Sequence, residues 1–421
     1  MVKRHLPVRP DLDQLRHQAK DLLRSIHSGD TAAVAELKEH HPRGVDPQSA
    51  KLADAQLVLA RSYGAPSWMR LVQSAKLIDA IWEDDIDALR TLVTTNPHLI
   101  REDARVVKSN WGPPMSYAAN LGRDRIITML HGLGATDLAT AMNRAALQGK
   151  VGTARLLHGL LGKPRPSDGS LSDPAYTLNA DGTALLFELG ARVHDDAGRR
   201  LAPVDVVLES DSRKPAAKHA ILEMYAAHGF ALPDTPTMAL HRGRIDLLDV
   251  HLRRDPDVLN RRFTHREIYP AEMGCGDPVN ATVGTPLGGT TLLHMCVDYD
   301  ELEIARWLIE RGADVNARSD ADADGFGGYT PLFCTVVSQP NFWMNYQGRP
   351  QIAPFTELLL AHGADVNVRA SIRKRLHPGH GDSTEREYRD VTALAWGRRF
   401  HAKVFVSEPA MELIEAVRGA D

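Results

Sequence analysis

The chain has 421 residues, of which 43% are hydrophobic and 25% are charged, and its formal net charge is −4. This composition is typical of folded globular proteins and excludes a chain that is disordered throughout. The balanced charge excludes a basic surface for nucleic acid, and no apolar run approaches the ~18 residues of a membrane span. We therefore expect neither a nucleic-acid nor a membrane partner.

The N-terminus and the cysteines predict the compartment. Lys3 and Arg4 are not followed by the apolar stretch of a secretion signal. Cys275, Cys296 and Cys334 are too few and too dispersed for a disulfide or zinc framework. Both observations predict a cytoplasmic protein without a metal centre.

Residues 11–73 carry helical patterns but no repeat. Apolar residues recur with helical spacing from Leu12 to Ile26, and residues 53–64 form a second helical block. We therefore expect residues 1–73 to form a helical N-terminal segment that is separate from the remainder of the chain.

From residue 74 onward, signals for pairs of helices recur. Pro113 lies 21 residues before Gly134, and Thr140 lies 21 residues before Leu161. Further helix ends fall near residues 189–191, 228–229 and 255–256. The recurrence predicts a series of similar two-helix units that stack on one another.

The clearest unit covers residues 291–316. It opens with Thr-Leu-Leu-His at 291–294, continues with an amphipathic stretch from Leu302 to Ile309, and closes with Gly-Ala-Asp-Val-Asn at 312–316. The same closing pentapeptide returns at 363–367, after Thr-Pro-Leu-Phe at 330–333. A glycine at the end of such a helix takes the left-handed conformation without strain.

These motifs resemble the ankyrin repeat, which has a Thr-Pro-Leu-His turn, an inner helix, a longer outer helix and a Gly-Ala-Asp turn. The resemblance implies an all-α ankyrin-repeat solenoid of about nine helix-turn-helix repeats, several of them degenerate, over residues 74–421. Residues 1–73 resemble the helical leader that precedes ankyrin arrays in bacterial proteins. We expect this leader to cap the first repeat, because a terminal repeat needs a polar outer cover.

Against the ankyrin period of ~33 residues, the C-terminal third of the chain is too long. The excess predicts three insertions, at residues 261–290, 338–354 and 368–390. Ankyrin fingers project from one edge of the array, so we expect the insertions to lie close together. Long loops of this kind are usually functional or disordered, and loops that only decorate the surface are the alternative.

The resemblance implies a scaffold that binds a protein partner through its concave face and its elongated fingers. Inner-helix ends facing solvent are expected at Asn120, Gln148, His241, Asp298 and Tyr299. The predicted binding residues combine helix ends with aromatic or basic finger residues, namely Tyr269, Asp298, Tyr299, Trp343, Tyr346 and Arg349.

An alternative function is an enzyme or small-molecule binder whose pocket is built by the three insertions. General acid–base chemistry would then fall to titratable residues in or beside them, namely His265, Glu267, Tyr269, Asp298, His377 and His380. The sequence contains no nucleophile elbow, phosphate-binding loop or zinc-binding helix motif. No catalytic motif and no cofactor is therefore predicted.

Two further motifs favour structural interpretations. Asp320, Asp322 and Asp324 resemble the start of a calcium-binding loop, but Pro331 stands where the loop needs a bidentate glutamate. An acidic finger tip is the simpler interpretation. His294 occupies the histidine position of the ankyrin turn, which implies hydrogen bonds to neighbouring turns.

Overall fold

The computed structural model describes residues 4–107, 109–210, 212–276, 285–338, 351–376 and 384–418. The chain divides into two compact units, Met1–Arg165 (unit 1) and Pro166–Asp421 (unit 2). Among the described residues, none of the helices combines the length and the apolar character that crossing a bilayer requires.

The described residues are predominantly helical. The α-helices of unit 1 are α1 Leu12–His27, α2 Thr31–His40, α3 Leu52–Ser62, α4 Trp68–Trp82, α5 Ile86–Thr95, α6 Pro114–Leu121, α7 Asp124–Gly132, α8 Leu138–Leu147 and α9 Val151–Leu160. Those of unit 2 are α10 Ser172–Tyr176, α11 Ala180–Glu188, α12 Val204–Leu208, α13 Pro215–Ala227, α14 Pro236–His241, α15 Ile245–Arg254, α16 His265–Ile268, α17 Leu292–Tyr299, α18 Leu302–Glu310, α19 Pro331–Val336, α20 Pro354–Ala361, α21 Ala393–Arg399 and α22 Glu408–Arg418. Single 3-10 turns lie at Pro47–Ser49, Pro97–Ile100, Pro256–Leu259, Ala271–Met273 and Lys403–Phe405.

The first three helices of unit 1 form a core with the start of α4. The apolar stripe predicted from Leu12 to Ile26 is confirmed: Leu15, Ala19, Leu22 and Ile26 are the buried residues of α1. They share one hydrophobic cluster with residues of α3 and with Leu71 of α4. The N-terminal segment is thereby positioned to cover the first helix pair.

A boundary at residue 73 would fall inside α4. The side chain of Ser67 accepts a hydrogen bond from the Arg70 backbone N–H and caps the start of this helix. A division before Ser67 therefore fits the helix better than one at residue 73. The capping role of the preceding residues stays a prediction.

Unit 1 contains three helix pairs, α4/α5, α6/α7 and α8/α9, in the part of the chain that the structure describes. The first helices of these pairs pack side by side, α4 on α6 and α6 on α8. Each pair makes a tight turn, as at Gly122, whose φ of 72° is in the left-handed region.

Unit 2 contains six helix pairs within its described residues: α10/α11, α12/α13, α14/α15, α17/α18, α19/α20 and α21/α22. The inner helices α14, α17, α19 and α21 pack on one another in this order. The helical spacing predicted for α18 is confirmed, because Ala305 and Leu308 are fully buried and Leu302 and Ile309 are half-buried. With unit 1, this gives the expected number of helix pairs.

The described residues depart from an all-helical architecture at a two-stranded antiparallel sheet within the predicted insertion 368–390. Strand β1 covers Ala370–Lys374 and β2 covers Arg386–Val391, with Ala370 opposite Val391 and Ile372 opposite Tyr388. Alternate residues of β1 are buried, which is the period of a strand with one face on a core. The described ends of the insertion therefore form a pair of antiparallel strands.

The burial of Leu308 tests the repeat register. We expect Leu308→Ala to lower the free energy of unfolding by roughly 2–5 kcal/mol, because it leaves a cavity in a packed helix pair. Chemical denaturation would measure the change. The exposed Arg306→Ala on the same helix is the control, with an expected effect within about 0.5 kcal/mol. Equal effects of the two variants would contradict the register.

The packing of α1–α3 against α4 generates a second prediction. A chain that starts at Ser67 should expose the apolar face of α4, including Leu71 and Ala75, and should aggregate or fray. Size-exclusion chromatography and hydrogen exchange of α4 and α5 would measure this. A monodisperse chain with unchanged exchange in both helices would show that the N-terminal segment is an independent appendage.

Candidate functional site

Consecutive fingers of unit 2 are joined by backbone hydrogen bonds. Phe263 N–H donates to Thr290 O at 2.7 Å, Asp320 N–H to Gly289 O at 2.8 Å, and Gly327 N–H to Ser371 O at 2.7 Å. We call the described residues 262–263, 285–290, 317–329, 370–374 and 385–391 the finger ladder. It connects the described parts of the insertions 261–290 and 368–390 through the finger that lies between them.

One glycine shows how tightly the finger 317–329 turns back on itself. Gly327 has a φ of +132°, and a Cβ atom there would lie 2.0 Å from the backbone oxygen of Asp320. Only glycine fits this position, because any side chain would collide with backbone rather than with a movable side chain. The tight turn fixes this finger, and the backbone hydrogen bonds to its neighbours make the finger ladder a defined surface rather than a set of separate loops.

Arg373 lies at the centre of the acidic tip of the ladder. Its guanidinium is 3.5 Å from Asp322, 3.1 Å from Asp324 and 3.6 Å from Glu387, and its Cζ lies 4.0 Å from the ring centroid of Phe326. The carboxylates thus have an internal cation. This geometry agrees with the interpretation of residues 320–324 as an acidic finger tip.

A second polar region of unit 2 is buried. We call it the Tyr299 cluster, and it consists of Arg213, Lys218, His241, Tyr269, Asp298 and Tyr299. Asp298 and Tyr299 end α17, His241 ends α14, and Tyr269 follows α16. Arg213 and Lys218 come from the loop before α13 and from its first turns.

An ion pair fixes the loop to the end of α17. Arg213 Nη2 donates to Asp298 Oδ2 at 2.9 Å, and its Nε donates to the Asp298 backbone oxygen. Both side chains are almost completely buried, at 6% and 0% exposure. Removal of one partner would leave the other charge buried and uncompensated, which costs several kcal/mol.

Tyr299 is the centre of the cluster. Its hydroxyl contacts the Tyr269 hydroxyl, the Lys218 Nζ lies 3.7 Å from its ring centroid, and the His241 ring centroid is 5.0 Å away. Burial raises the pKa of both tyrosine hydroxyls well above their usual value. They therefore stay protonated and act as hydrogen-bonding groups rather than as bases.

Next to the cluster, the turn after α14 passes close to α13. A Cβ at Gly243, whose φ is +66°, would lie 2.2 Å from the imidazole of His219. That imidazole in turn contacts Glu301 Oε1 at 2.6 Å. These contacts hold α13, α14 and α17 together at their ends.

Three buried polar atoms of the cluster have no hydrogen-bond partner among the described residues: Lys218 Nζ, His241 Nδ1 and Asp298 Oδ1. His241 Nε2 faces the Ile268 carbonyl at 3.0 Å and therefore carries the hydrogen. Burial holds the pKa of His241 well below its usual range, so the ring is neutral and Nδ1 is an acceptor.

Among these three groups, Lys218 is the amine, and its pKa is shifted by its surroundings. Burial lowers the pKa of its amine to about 7, the positive charge of Arg213 adds to this effect, and Glu301 and Asp298 oppose it. A substantial fraction of the amine is therefore uncharged near neutral pH.

The structure brings together three of the predicted site residues, Tyr269, Asp298 and Tyr299, in this cluster. The expectation that inner-helix ends face solvent is wrong for Asn120, His241, Asp298 and Tyr299, all of which are buried, whereas Gln148 is half-buried. The loop before α13 and the residues around α16 cover the helix ends at His241, Asp298 and Tyr299.

The two remaining described candidates lie in α16. Glu267 accepts hydrogen bonds from Thr264 N–H and Oγ1 and pairs with Arg261, so it caps this short helix. His265 is half-buried against Tyr269, and burial lowers the pKa of its imidazole. Trp343, Tyr346, Arg349, His377 and His380 lie outside the described residues.

Sequence reasoning missed Arg213 and Lys218. Both lie near the start of a helix, in a stretch rich in exposed-type residues, and no periodicity distinguishes them from surface cations.

The structural interpretation of His294 is confirmed: its Nδ1 faces Thr291 Oγ1 at 2.9 Å and its Nε2 faces the Tyr329 carbonyl at 3.2 Å. Burial raises the pKa of the Cys275 thiol to about 12, which disfavours a nucleophilic thiolate.

Comparison with a family model supports the interpretation of one repeat. The family model of the ankyrin repeat matches residues 288–320. The solved human ASB11 ankyrin repeat domain is 15% identical, over 72% of this chain and 96% of that one, with a TM-score of 0.24. The ankyrin repeat domain of Bcl-3 is 17% identical, over 67% and 99%, with the same TM-score. No curated protein matches the chain.

The helix pairs, their Gly-terminated turns and the matched segment define an all-α ankyrin-repeat fold. The chain contains an ankyrin repeat at residues 288–320, which include α17 and α18. Ankyrin repeats generally serve as modules for protein–protein interaction.

Lys218 gives the stability a pH dependence of known sign. The folded protein releases this proton near pH 7, whereas an unfolded chain holds it to about pH 10.4. Between these values the unfolded state binds more protons, so stability rises with pH. Relative to Lys218→Met, the wild type should therefore gain unfolding free energy from about pH 7 to about pH 9.5, measured by chemical denaturation at constant ionic strength.

The exposed Lys76→Met is the control for this comparison. Parallel stability curves for the wild type and Lys218→Met would contradict the lowered pKa of Lys218.

Proposed function

We propose that this protein is a binding scaffold in the cytoplasm that recognises a protein partner through its array surface and the finger ladder. The observation that carries the proposal is the backbone hydrogen bonding between successive fingers in unit 2. It holds an extended exposed edge in one conformation before any partner arrives. Preorganisation of this kind reduces the entropy that binding must overcome.

The chemistry of the ladder supports a polar interface. Arg262, Glu385, Glu387 and Arg389 have side chains that are 45–57% exposed, with both signs of charge interspersed. Mixed charges favour a partner that is recognised by a pattern of ion pairs and hydrogen bonds rather than by bulk attraction. A uniformly basic or acidic partner fits this edge less well.

Tyr269, Asp298 and Tyr299 contribute differently. Because they are buried, a macromolecular partner would not reach their side chains without movement of the loop before α13. Within the scaffold they fix the ends of α14 and α17. The insertion 338–354 and the hypothesis of a pocket shared by the three insertions involve residues outside the described ranges, and both remain proposals.

Charge reversal on the ladder tests the proposal. Partners would be captured from a cell extract by the full chain, identified, purified and titrated calorimetrically. Glu385→Arg with Glu387→Arg should weaken the binding of the purified partner at least 10-fold, because both side chains are exposed on the ladder.

The control places the same kind of change elsewhere in unit 2. Glu303→Arg with Glu310→Arg makes the same change of net charge on the exposed face of α18 and should leave affinity within about twofold. Equal losses from both double variants, or none from the ladder variant, would place the interface away from the fingers. If no purified protein binds the wild type, the scaffold function itself fails.

A further inference from the structure

Lys218 has a buried amine that has no hydrogen-bond acceptor among the described residues of unit 2. The residue is 3% exposed, and its Nζ has no hydrogen-bond partner among the described residues. The Nζ lies over the face of Tyr299, 3.7 Å from the ring centroid. A charged ammonium in such a place is costly, because the ring replaces only part of its hydration.

The same environment makes the amine a nucleophile. Its pKa of about 7 means that a lone pair is present on Nζ in a large fraction of molecules at neutral pH. An exposed lysine with an ordinary pKa carries this lone pair in only about one molecule in a thousand at pH 7. Desolvated lysines of this kind form Schiff bases with carbonyl compounds.

The surrounding charges favour one class of adduct. Asp298 and Glu301 both act on Lys218 so as to favour positive charge at its nitrogen. A carbamate would place a negative charge beside these carboxylates, and an acylated amine would be neutral. A protonated imine keeps the nitrogen positive and is the adduct that the two carboxylates stabilise.

The unpartnered acceptors restrict the chemical class of the ligand further. Asp298 Oδ1 and His241 Nδ1 are buried without a hydrogen-bond donor among the described residues, and both belong to side chains that flank Tyr299. Hydroxyl groups are the donors that would satisfy both atoms. Because the amine is almost completely buried, only a compound of a few atoms can reach it.

We propose that Lys218 in the Tyr299 cluster binds a small hydroxylated aldehyde or ketone covalently, as an imine. The Nζ lone pair attacks the carbonyl carbon, and a proton moves from nitrogen to the carbonyl oxygen to give a carbinolamine. The hydroxyl group then takes up a proton from solvent and leaves as water, the nitrogen lone pair forms the carbon–nitrogen double bond, and the nitrogen keeps its remaining hydrogen as the protonated imine. No oxidant or reductant takes part. The site is distinct from the finger ladder, so it does not rest on the proposed protein binding.

Reductive trapping on the full-length protein tests the proposal, with glycolaldehyde as the probe. The imine is reduced in place with cyanoborohydride at pH 7, and the modified lysines are identified by peptide mass spectrometry. Lys218 should be modified at least 10-fold faster than Lys214 or the exposed Lys76. Its rate should rise with pH to a plateau with a midpoint near pH 7. Lys214 is the matched neighbour, since its Nζ donates to the Thr177 carbonyl at 3.1 Å.

Two further measurements complete the test. A bulky aldehyde such as pyrene carboxaldehyde should leave Lys218 unmodified while it still labels Lys76. Lys218→Arg, which keeps a cation but lacks the nucleophilic amine, should abolish the fast phase. The site-resolved rates on the wild type do not depend on the folding of any variant. A Lys218 that stays unmodified, or that reacts no faster than Lys76, would overturn the proposal.

Discussion

A two-helix repeat has an apolar face that it cannot bury alone, and the stacking of one pair on the next is the interaction on which the rest of the structure depends. In unit 1, α6 is packed between α4 and α8, and in unit 2, α19 is packed between α17 and α21. A pair at the end of a stack lacks one neighbour. In unit 1, the helices α1–α3 supply that neighbour for α4, which explains why they share its hydrophobic cluster.

Stacking also determines what the loops can do. Because the pairs follow one another at a fixed spacing, successive fingers come within hydrogen-bonding distance, as Gly327 and Ser371 do. Lengthening a loop costs only about 0.6 kcal/mol per doubling. The stack therefore tolerates long fingers. Contacts between finger residues, such as Arg373 on Phe326, order these loops and do not involve the helices.

The sequence predicts those features that depend on neighbours along the stack. The interval from Thr291 to Gly312 locates α17 and α18, and the amphipathic spacing locates the buried face with Leu308. Burial of Asp298 could not be predicted, because the loop that covers it belongs to α12 and α13, two pairs earlier in unit 2. The same holds for Lys218, whose helical context resembles that of a surface lysine. The antiparallel pairing of β1 and β2 is not predicted, because the sequence identifies these residues only as an excess over the repeat length.

The polarity of the Tyr299 cluster is a local property and is not required by the fold. Asn120 is the second-last residue of α6, as Asp298 is of α17. The side-chain amide of Asn120 has hydrogen-bond partners for both of its polar atoms. Its Nδ2 donates to the Ser116 carbonyl at 2.8 Å, and its Oδ1 accepts from Arg144 Nε at 3.0 Å. A helix pair can thus end without unpartnered charges. Replacing a buried ion pair by apolar groups is often neutral or stabilising, so packing does not explain why Arg213, Lys218 and Asp298 converge. A ligand bound as proposed at Lys218 would account for the buried Lys218 Nζ and Asp298 Oδ1, which have no hydrogen-bond partner among the described residues.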